Sequence, residues 1–268
     1  MQANILNAGN TMIENDFNGE ARKLLESKKN KEGIKKYPVL NFTEKELEDL
    51  RKRVCETLKH SKVKPAGSKL YEIAKRAFDV AVSSCAIVVL AVPVSCFALA
   101  IYLDDGGNPF FVQVRLTKGG KPFKMYKLRS MCIDAEERFA EVQKANKCDG
   151  LAFKSDDDPR ITKIGKFIRK TSIDELPQFL NVLKGDMSLI GPRPPLPREV
   201  YLYSPEQMDR LLVKTGLACT CQTEGRSDMP FDEWVATDID YIKNRNCAVD
   251  IKILIKMVIA VLKRKGAE

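Results

Sequence analysis

Polar and apolar positions divide the chain into stretches of very different character. Residues 1–40 are polar, carry a Lys-rich run from Lys28 to Lys36, and lack the apolar core of a secretory signal. They read as a tail or a loosely attached extension. Periodicity begins at Thr43. Thr43 and Glu46 have capping-box spacing, and Leu47, Leu50, Val54 and Leu58 recur on one helical face. This predicts an amphipathic helix, closed off by Pro65-Ala66-Gly67-Ser68. The first organisational unit is therefore 1–70, a polar N-terminal extension with one amphipathic helix.

A second unit, 71–105, holds an uncharged run from Val80 to Leu103. As a straight helix it would reach about 36 Å, enough to cross a hydrocarbon core. Two features argue against a simple span. Pro93 near its middle removes a helical hydrogen bond and favours a kink. Both flanks are basic, with Lys62, Lys64, Lys69, Lys75 and Arg76 before and Arg115, Lys118, Lys121, Lys124, Lys127 and Arg129 after. Positive flanks prefer the cytoplasmic side. A re-entrant helix that bends at Pro93 and returns to the same face satisfies both, with Ser83, Ser84 or Ser95 available to freed backbone groups.

The third unit, 106–268, mixes short strands and helices without βαβ alternation, so the class expected is α+β. Phe110-Phe111-Val112 leads into a β-hairpin that turns at Lys118-Gly119-Gly120-Lys121 and returns over Phe123 to Leu128. Asp134 to Lys147 predicts a charged helix, and Asp156-Asp157-Asp158-Pro159 a turn. Residues 160–170 set Lys163, Lys166, Arg169 and Lys170 against Ile161, Ile164, Phe167 and Ile168. That pattern suits a helix in a membrane interface, or a surface helix on a soluble core. Asp250 to Lys265 repeats it, with no uncharged run long enough to span.

Composition narrows the partners. The chain has 268 residues and a net charge of +9, which favours an acidic partner: nucleic acid, anionic lipid or a phosphorylated substrate. Aromatics are 7% with a single Trp, and no nucleic-acid-binding motif is present, so nucleic acid is set aside. Eight Cys form no C-x-x-C pair and there is one His, which reads as reduced thiols rather than a zinc site.

The chemistry concentrates in Lys170–Pro195, KTSIDELPQFLNVLKGDMSLIGPRPP. Leu176, Phe179, Leu180 and Leu183 predict one buried helical face, and Gly185 ends the helix. The start is open between a Ser172–Glu175 capping box and Asp174 as N-cap with Pro177 in the first turn. Either way Asp174 and Glu175 sit at the positive end of a helix dipole, which would keep them ionised. Taken alone the pair reads as a cap. With Lys163, Lys166, Arg169, Lys170 and Arg193 around it, it also reads as a phosphate site. Adjacent carboxylates hold Mg²⁺, arginines grip phosphate, and a carboxylate can attack phosphorus.

At this point the residues resemble a known family, the bacterial sugar transferases, or monotopic phosphoglycosyl transferases. The match runs from Lys75 to about Lys263. It rests on Lys75-Arg76-x-Phe78-Asp79, Gln113-x-Arg115, Lys127-Leu128-Arg129-Ser130-Met131 and Asp158-Pro159-Arg160-Ile161-Thr162. It continues with Thr171-Ser172-x-Asp174-Glu175-Leu176-Pro177-Gln178, Asn181-x-Leu183-Lys184-Gly185-Asp186-Met187-Ser188 and Gly191-Pro192-Arg193-Pro194. The resemblance implies that Asp174 attacks the β-phosphorus of a UDP-sugar, UMP leaves, and a polyprenyl phosphate, typically undecaprenyl phosphate, takes the phosphosugar. Such a reaction initiates surface glycans such as exopolysaccharide. It implies Mg²⁺ at Glu175 beside Asp174. It implies phosphate contacts from Arg169 and from Arg193 in its Pro192–Pro194 turn, with Lys127, Arg129 and Asp238 as weaker substrate-site candidates. It places the protein as monotopic, on membrane lipid at the cytoplasmic face of the bacterial inner membrane. Self-association into a homo-oligomer is left open.

The chain departs from the family pattern at Lys214–Cys219, which lacks the usual Pro and one Gly, and at Glu224-Gly225-Arg226, where a carboxylate replaces an amide. The competing reading is a non-enzymatic basic protein binding anionic lipid, with Asp174 and Glu175 as a cap only.

Overall fold

A computed structural model describes residues 42–135, 138, 158–223 and 230–262. The 1–40 tail, most of the Asp134–Lys147 segment, Asp156, Asp157 and Glu224–Arg226 lie outside the described residues.

Helix α1 spans Glu44–Lys59 and begins with the expected capping box, Thr43 accepting from the Glu46 N–H. Its apolar stripe buries Leu50 and Val54 against Leu116, Val200, Tyr203, Met208 and Leu211. The helix is thus part of a core rather than a detached appendage.

Helix α2 spans Lys69–Asp105 as one assigned helix through Pro93, with Ser68 as N-cap and Gly106 closing it in the left-handed conformation. Its ends are fastened. Arg76 donates to Val182 O at 2.7 Å and Leu183 O at 2.8 Å, the orphan carbonyls of a helix C-terminus. Asp79 accepts from the Leu189 N–H and the Ser188 hydroxyl. Lys75 and Tyr71 both meet Asp250. At the other end Ala98 and Ile101 pack with Leu128 and Ile168, and Phe97 stacks on Phe167. Between these anchorages Val88, Val89 and Val92 are 77%, 72% and 71% exposed. Valines left that open in a protein are suited to lipid, not water. Ser83 is buried and its hydroxyl finds no partner among the described residues, so it does not serve as the cap expected for the bend.

The hairpin forms as the alternation predicts. Strands β1 (Phe110–Thr117) and β2 (Lys121–Leu128) pair antiparallel from Phe110↔Leu128 to Thr117↔Lys121. Helix α3 spans Lys163–Lys170 with Thr162 as N-cap. Its apolar face is divided: Ile168 is wholly buried against α2 and β2, whereas Phe167 stays half exposed. A 3₁₀ helix, Ile173–Gln178, leads into α4, Phe179–Lys184, which Gly185 ends at φ 87°. The leucine stripe does not supply the buried face here. Leu180 is 42% exposed, whereas Gln178, Asn181 and Val182 are buried. The reason is hydrogen bonding. Asn181 accepts from the Tyr126 N–H at 3.0 Å and donates to Lys124 O at 2.7 Å, so its amide completes the open edge of β2.

Strand β3 (Ser188–Ile190) follows, then short helices α5 (Pro197–Tyr201) and α6 (Pro205–Met208). Strand β4 (Gly216–Ala218) pairs parallel with β3. Thr215, in the turn that departs from the pattern the resemblance implies, donates from its N–H and hydroxyl to Thr117. Proline could not donate from nitrogen, so this departure has a local structural partner. A short turn α7 (Thr220–Thr223), helix α8 (Phe231–Asn244) and helix α9 (Cys247–Leu262) complete the chain. On α9, Ile251, Ile255 and Val258 are exposed and Ile253 is buried, so one face joins the core and another is left apolar and open. The result is a mixed helix-and-sheet fold carrying one long apolar, largely uncovered helix.

Asn181→Ala would orphan a partly buried donor and a partly buried acceptor on β2. We expect a loss of about 2–4 kcal/mol, read by denaturation in detergent; a loss below about 0.5 kcal/mol would refute this role.

Candidate active site

The site is built where α3 ends. Ser172 adopts φ 56°, the only positive φ of a non-glycine among the described residues. This left-handed residue turns the chain sharply off α3, at a cost of about 1 kcal/mol or more. Asp174 and Glu175 follow at once in the 3₁₀ helix. Neither capping scheme forms: Ser172 stands at the N-cap position but makes no side-chain cap bond. Pro177 is buried in the 3₁₀ segment, ahead of the first α-helical residue, where its missing N–H interrupts no α-helical ladder.

Lys127 reaches in from β2. Its ammonium is 2.8 Å from Glu175 Oε1 and 3.9 Å from Asp174 Oδ2. Arg169, in the last turn of α3, adds positive potential at Asp174. Arg193 and Arg115 do the same at Glu175. The two carboxyls respond differently. Burial pushes Asp174 up to about 6, against Lys127 and Arg169 and with Glu175 helping to raise it. Burial also acts to raise Glu175, but Lys127, Arg193 and Arg115 outweigh it, so its carboxyl ends below the usual range. The expectation that a helix dipole lowers both carboxyls holds in direction for Glu175 and is corrected for Asp174, which is raised yet still ionises near neutral pH. Asp174 is only 8% exposed, and the loss of hydration outweighs the local dipole.

The Gly191–Pro195 turn closes the other side. Its backbone is tied to β4, with the Gly191 N–H on Ala218 O and the Gly216 N–H on Pro192 O. A Cβ at Gly191 would lie 2.5 Å from Lys214 O, and one at Gly216 would lie 2.1 Å from Gly191 N, so the approach requires glycine on both sides. Arg115 donates to Pro194 O at 2.9 Å while Gln113 holds its other nitrogens. Pro192, Pro194 and Pro195 are buried and Arg193 between them is exposed. The turn thus presents one side chain, whose guanidinium lies 5.3 Å from the centre of the Trp234 ring.

Two of the weaker candidates are placed elsewhere. Arg129 pairs with Asp105 and donates to Asn108 O, clamping the end of α2. Asp238 is 1% exposed and engaged by Arg210 at 2.7 Å, so it stands behind the site and cannot touch a substrate as placed. Arg115 was marked in the Gln113-x-Arg115 motif without a role, and Tyr203, Arg210 and Trp234 were not singled out as site residues from the sequence. Trp234 carried the one available signal, as the chain's single Trp, but its partners are brought in by the fold from distant positions.

The residues fit the Mg²⁺ that the resemblance implies. Two carboxylates converge on one cation, here the Lys127 ammonium, and Mg²⁺ with phosphates is commonly held by one or two carboxylates. No larger group of His, Cys, Asp and Glu exists among the described residues to form an all-protein cage.

The raised Asp174 carboxyl has a stability consequence. Its folded value exceeds the ordinary 3.8, so stability falls as pH rises from about 4 through 6. In metal-free buffer at pH 7.5, Asp174→Asn should melt later than the parent, by up to about 3 kcal/mol of stability. The gap should close as pH falls to 4. A pH-independent gap in thermal scans would contradict this.

Comparison with known proteins supplies the family. Residues 70–264 match the family described as bacterial sugar transferase. The chain is 45% identical to the galactosyl transferase CpsE of Streptococcus agalactiae, covering 73% of this chain and 44% of that protein. It is 42% identical to the undecaprenyl-phosphate galactose phosphotransferase of Salmonella typhimurium, over 72% of this chain and 41% of that one. It is 32% identical to the exopolysaccharide production protein ExoY of Rhizobium meliloti, over 76% of this chain and 91% of that one. The chain thus spans less than half the length of the first two relatives and nearly all of the third. On the match over most of its length, the chain belongs to the bacterial sugar transferase family.

Proposed function

We propose that the protein transfers a sugar-1-phosphate from a UDP-sugar to a polyprenyl phosphate, through a covalent phosphosugar on Asp174, in the initiation of a surface glycan. The observation that carries this is the buried Asp174 lying beside a cation-gathered Glu175, with exposed Arg193 opposite. A carboxylate that has lost its hydration is a better nucleophile than a solvated one, provided cations receive the charge of the leaving phosphate. Relatives named for undecaprenyl-phosphate sugar phosphotransfer support the substrates.

In this reading an Asp174 oxygen forms a bond to the β-phosphorus as the bond from that phosphorus to the bridging oxygen breaks. UMP departs with that oxygen. A polyprenyl phosphate oxygen then attacks the same phosphorus, the acyl-phosphate bond breaks, and Asp174 regains its electron pair. Lys127 keeps Glu175 ionised beside the diphosphate, and Arg169 and Arg193 neutralise phosphate oxygens. Mg²⁺, held by Glu175 with Asp174, would supply further neutralisation of the diphosphate.

The acceptor is a membrane lipid, and α2 supports delivery at one surface. Both its ends are bonded to the catalytic elements, whereas its middle is bare. We read it as re-entrant through Pro93, with the catalytic residues at the cytoplasmic face and α3 and α9 along the interface.

Purified protein with Mg²⁺, UDP-sugars and undecaprenyl phosphate should release UMP, and Asp174→Asn should lower the rate at least about a thousandfold. With acceptor omitted, mass spectrometry should find the phosphosugar on Asp174. Because the attacking carboxyl must be ionised, kcat/KM should fall below about pH 6. Undiminished turnover by the Asn variant would sink the covalent step. For the helix, cysteines placed in either flank should resist impermeant reagents added to intact cells; labelling of one flank would show a full crossing.

A further inference from the structure

We propose that Trp234 is a positioning residue, whose indole presents the Arg193 guanidinium to the phosphates of the donor. The proposal rests on the transferase reading above and deepens it by assigning what aims the arginine.

Arg193 is the exposed member of a buried Pro-rich turn. Its backbone is fixed by the pairing with β4, but a long side chain on a fixed backbone still explores many rotamers. Among the described residues no hydrogen bond or ion pair holds its guanidinium. The contact the structure provides is the Trp234 ring, 5.3 Å from the guanidinium carbon. A π-face restrains the cation without occupying N–H donors, so they stay free for phosphate oxygens. A carboxylate in the same place would restrain Arg193 equally well but would compete with the substrate.

The ring is itself held. Phe231 meets Trp234 at 6.1 Å with its plane at 77°, and Tyr203 packs on Phe231 at 5.6 Å. Arg210 lies 5.1 Å from the centre of the same indole. Arg210 is 2% exposed, bonded to Asp238 through Nε at 2.8 Å and to the Tyr203 hydroxyl through Nη1 at 2.8 Å. Asp238 neutralises this second guanidinium, so Arg193 can share the indole with less repulsion. The chain reads Asp238 to Arg210 to Trp234 to Arg193, from a dry interior outward. It gives Asp238 a role at a distance from the substrate. Arg210 has its own hydrogen bonds and needs no indole for them, so the contact that depends on Trp234 is that of Arg193.

The test separates an aromatic face from mere bulk. UMP release is measured for the parent, Trp234→Phe, Trp234→Leu and Arg193→Ala, with thermal midpoints alongside. Phe keeps a π-face, whereas Leu keeps only apolar volume. We expect Trp234→Phe within about threefold of the parent. Trp234→Leu should lose about tenfold or more in kcat/KM, following Arg193→Ala, at an unchanged midpoint. Equal rates for the Phe and Leu variants would overturn the proposal. A second readout needs no turnover. The chain's single Trp reports directly on the contact, so its emission is titrated with UDP in the Asp174→Asn background. A saturable change is expected, and its loss on adding Arg193→Ala. No response to UDP, or the same response without Arg193, overturns the proposal even if the Leu variant fails to fold. Absence of UMP release by the parent with an intact UDP response would instead count against the transferase reading.

Discussion

Burying a carboxylate is the act on which this structure turns. Asp174 loses most of its water, and the cost is offset by a single ammonium, Lys127, shared with Glu175. Lys127 is useful only if β2 is in register, and β2 is an edge strand on its open side. Asn181 completes that edge, seven residues after Asp174 on the same short segment. Acid and counter-ion are therefore located by one stretch of chain, which supplies the carboxylate and also pins the strand that bears its cation. Arg76 then caps the end of α4 and ties this stretch to the long apolar helix α2. The Asp174 segment, the hairpin and the long apolar helix are three ends of one bonded unit.

Much of this was legible beforehand because it is local. The capping box at Thr43, the hairpin turning through Gly119 and Gly120, the uncharged run and the Gly185 stop all depend on residues within one or two turns of each other. The failures are where a non-local partner decides. Periodicity put Leu180 inside and Asn181 at no particular face, because it cannot foresee that an amide will be claimed by a strand edge some 55 residues earlier. Likewise a dipole argument at Asp174 counts charges nearby in sequence. It does not count the water removed by packing, which here is the larger effect. The Arg210–Trp234–Arg193 stack was invisible for the same reason.

The motif residues divide by what they touch. Arg76, Arg115 and Asn181 bond to backbone, as Gly191 does through its own N–H, Asp79 binds the Leu189 N–H, and Asp158 with Arg160 forms a buried clamp reaching Ala135 O. Few face the cleft. A run of motifs across a chain thus marks the joints of a scaffold at least as much as the groups that meet a substrate, and a role is assigned only once partners are known.

The two-ended attachment of α2 also bears on how such a helix would meet a bilayer. A helix that crosses must match the thickness of the hydrocarbon, and tilts, thins the lipid or strains when it does not. On the re-entrant reading proposed for α2, with one end held by α4 and β3 and the other by β2 and α3, depth is fixed from one interface inward and the far leaflet exerts no pull. Hydrophobic mismatch then has little lever on the geometry around Asp174. Lateral pressure in the near leaflet, felt by the bare valines between the anchorages, is the mechanical variable to which such an architecture is exposed.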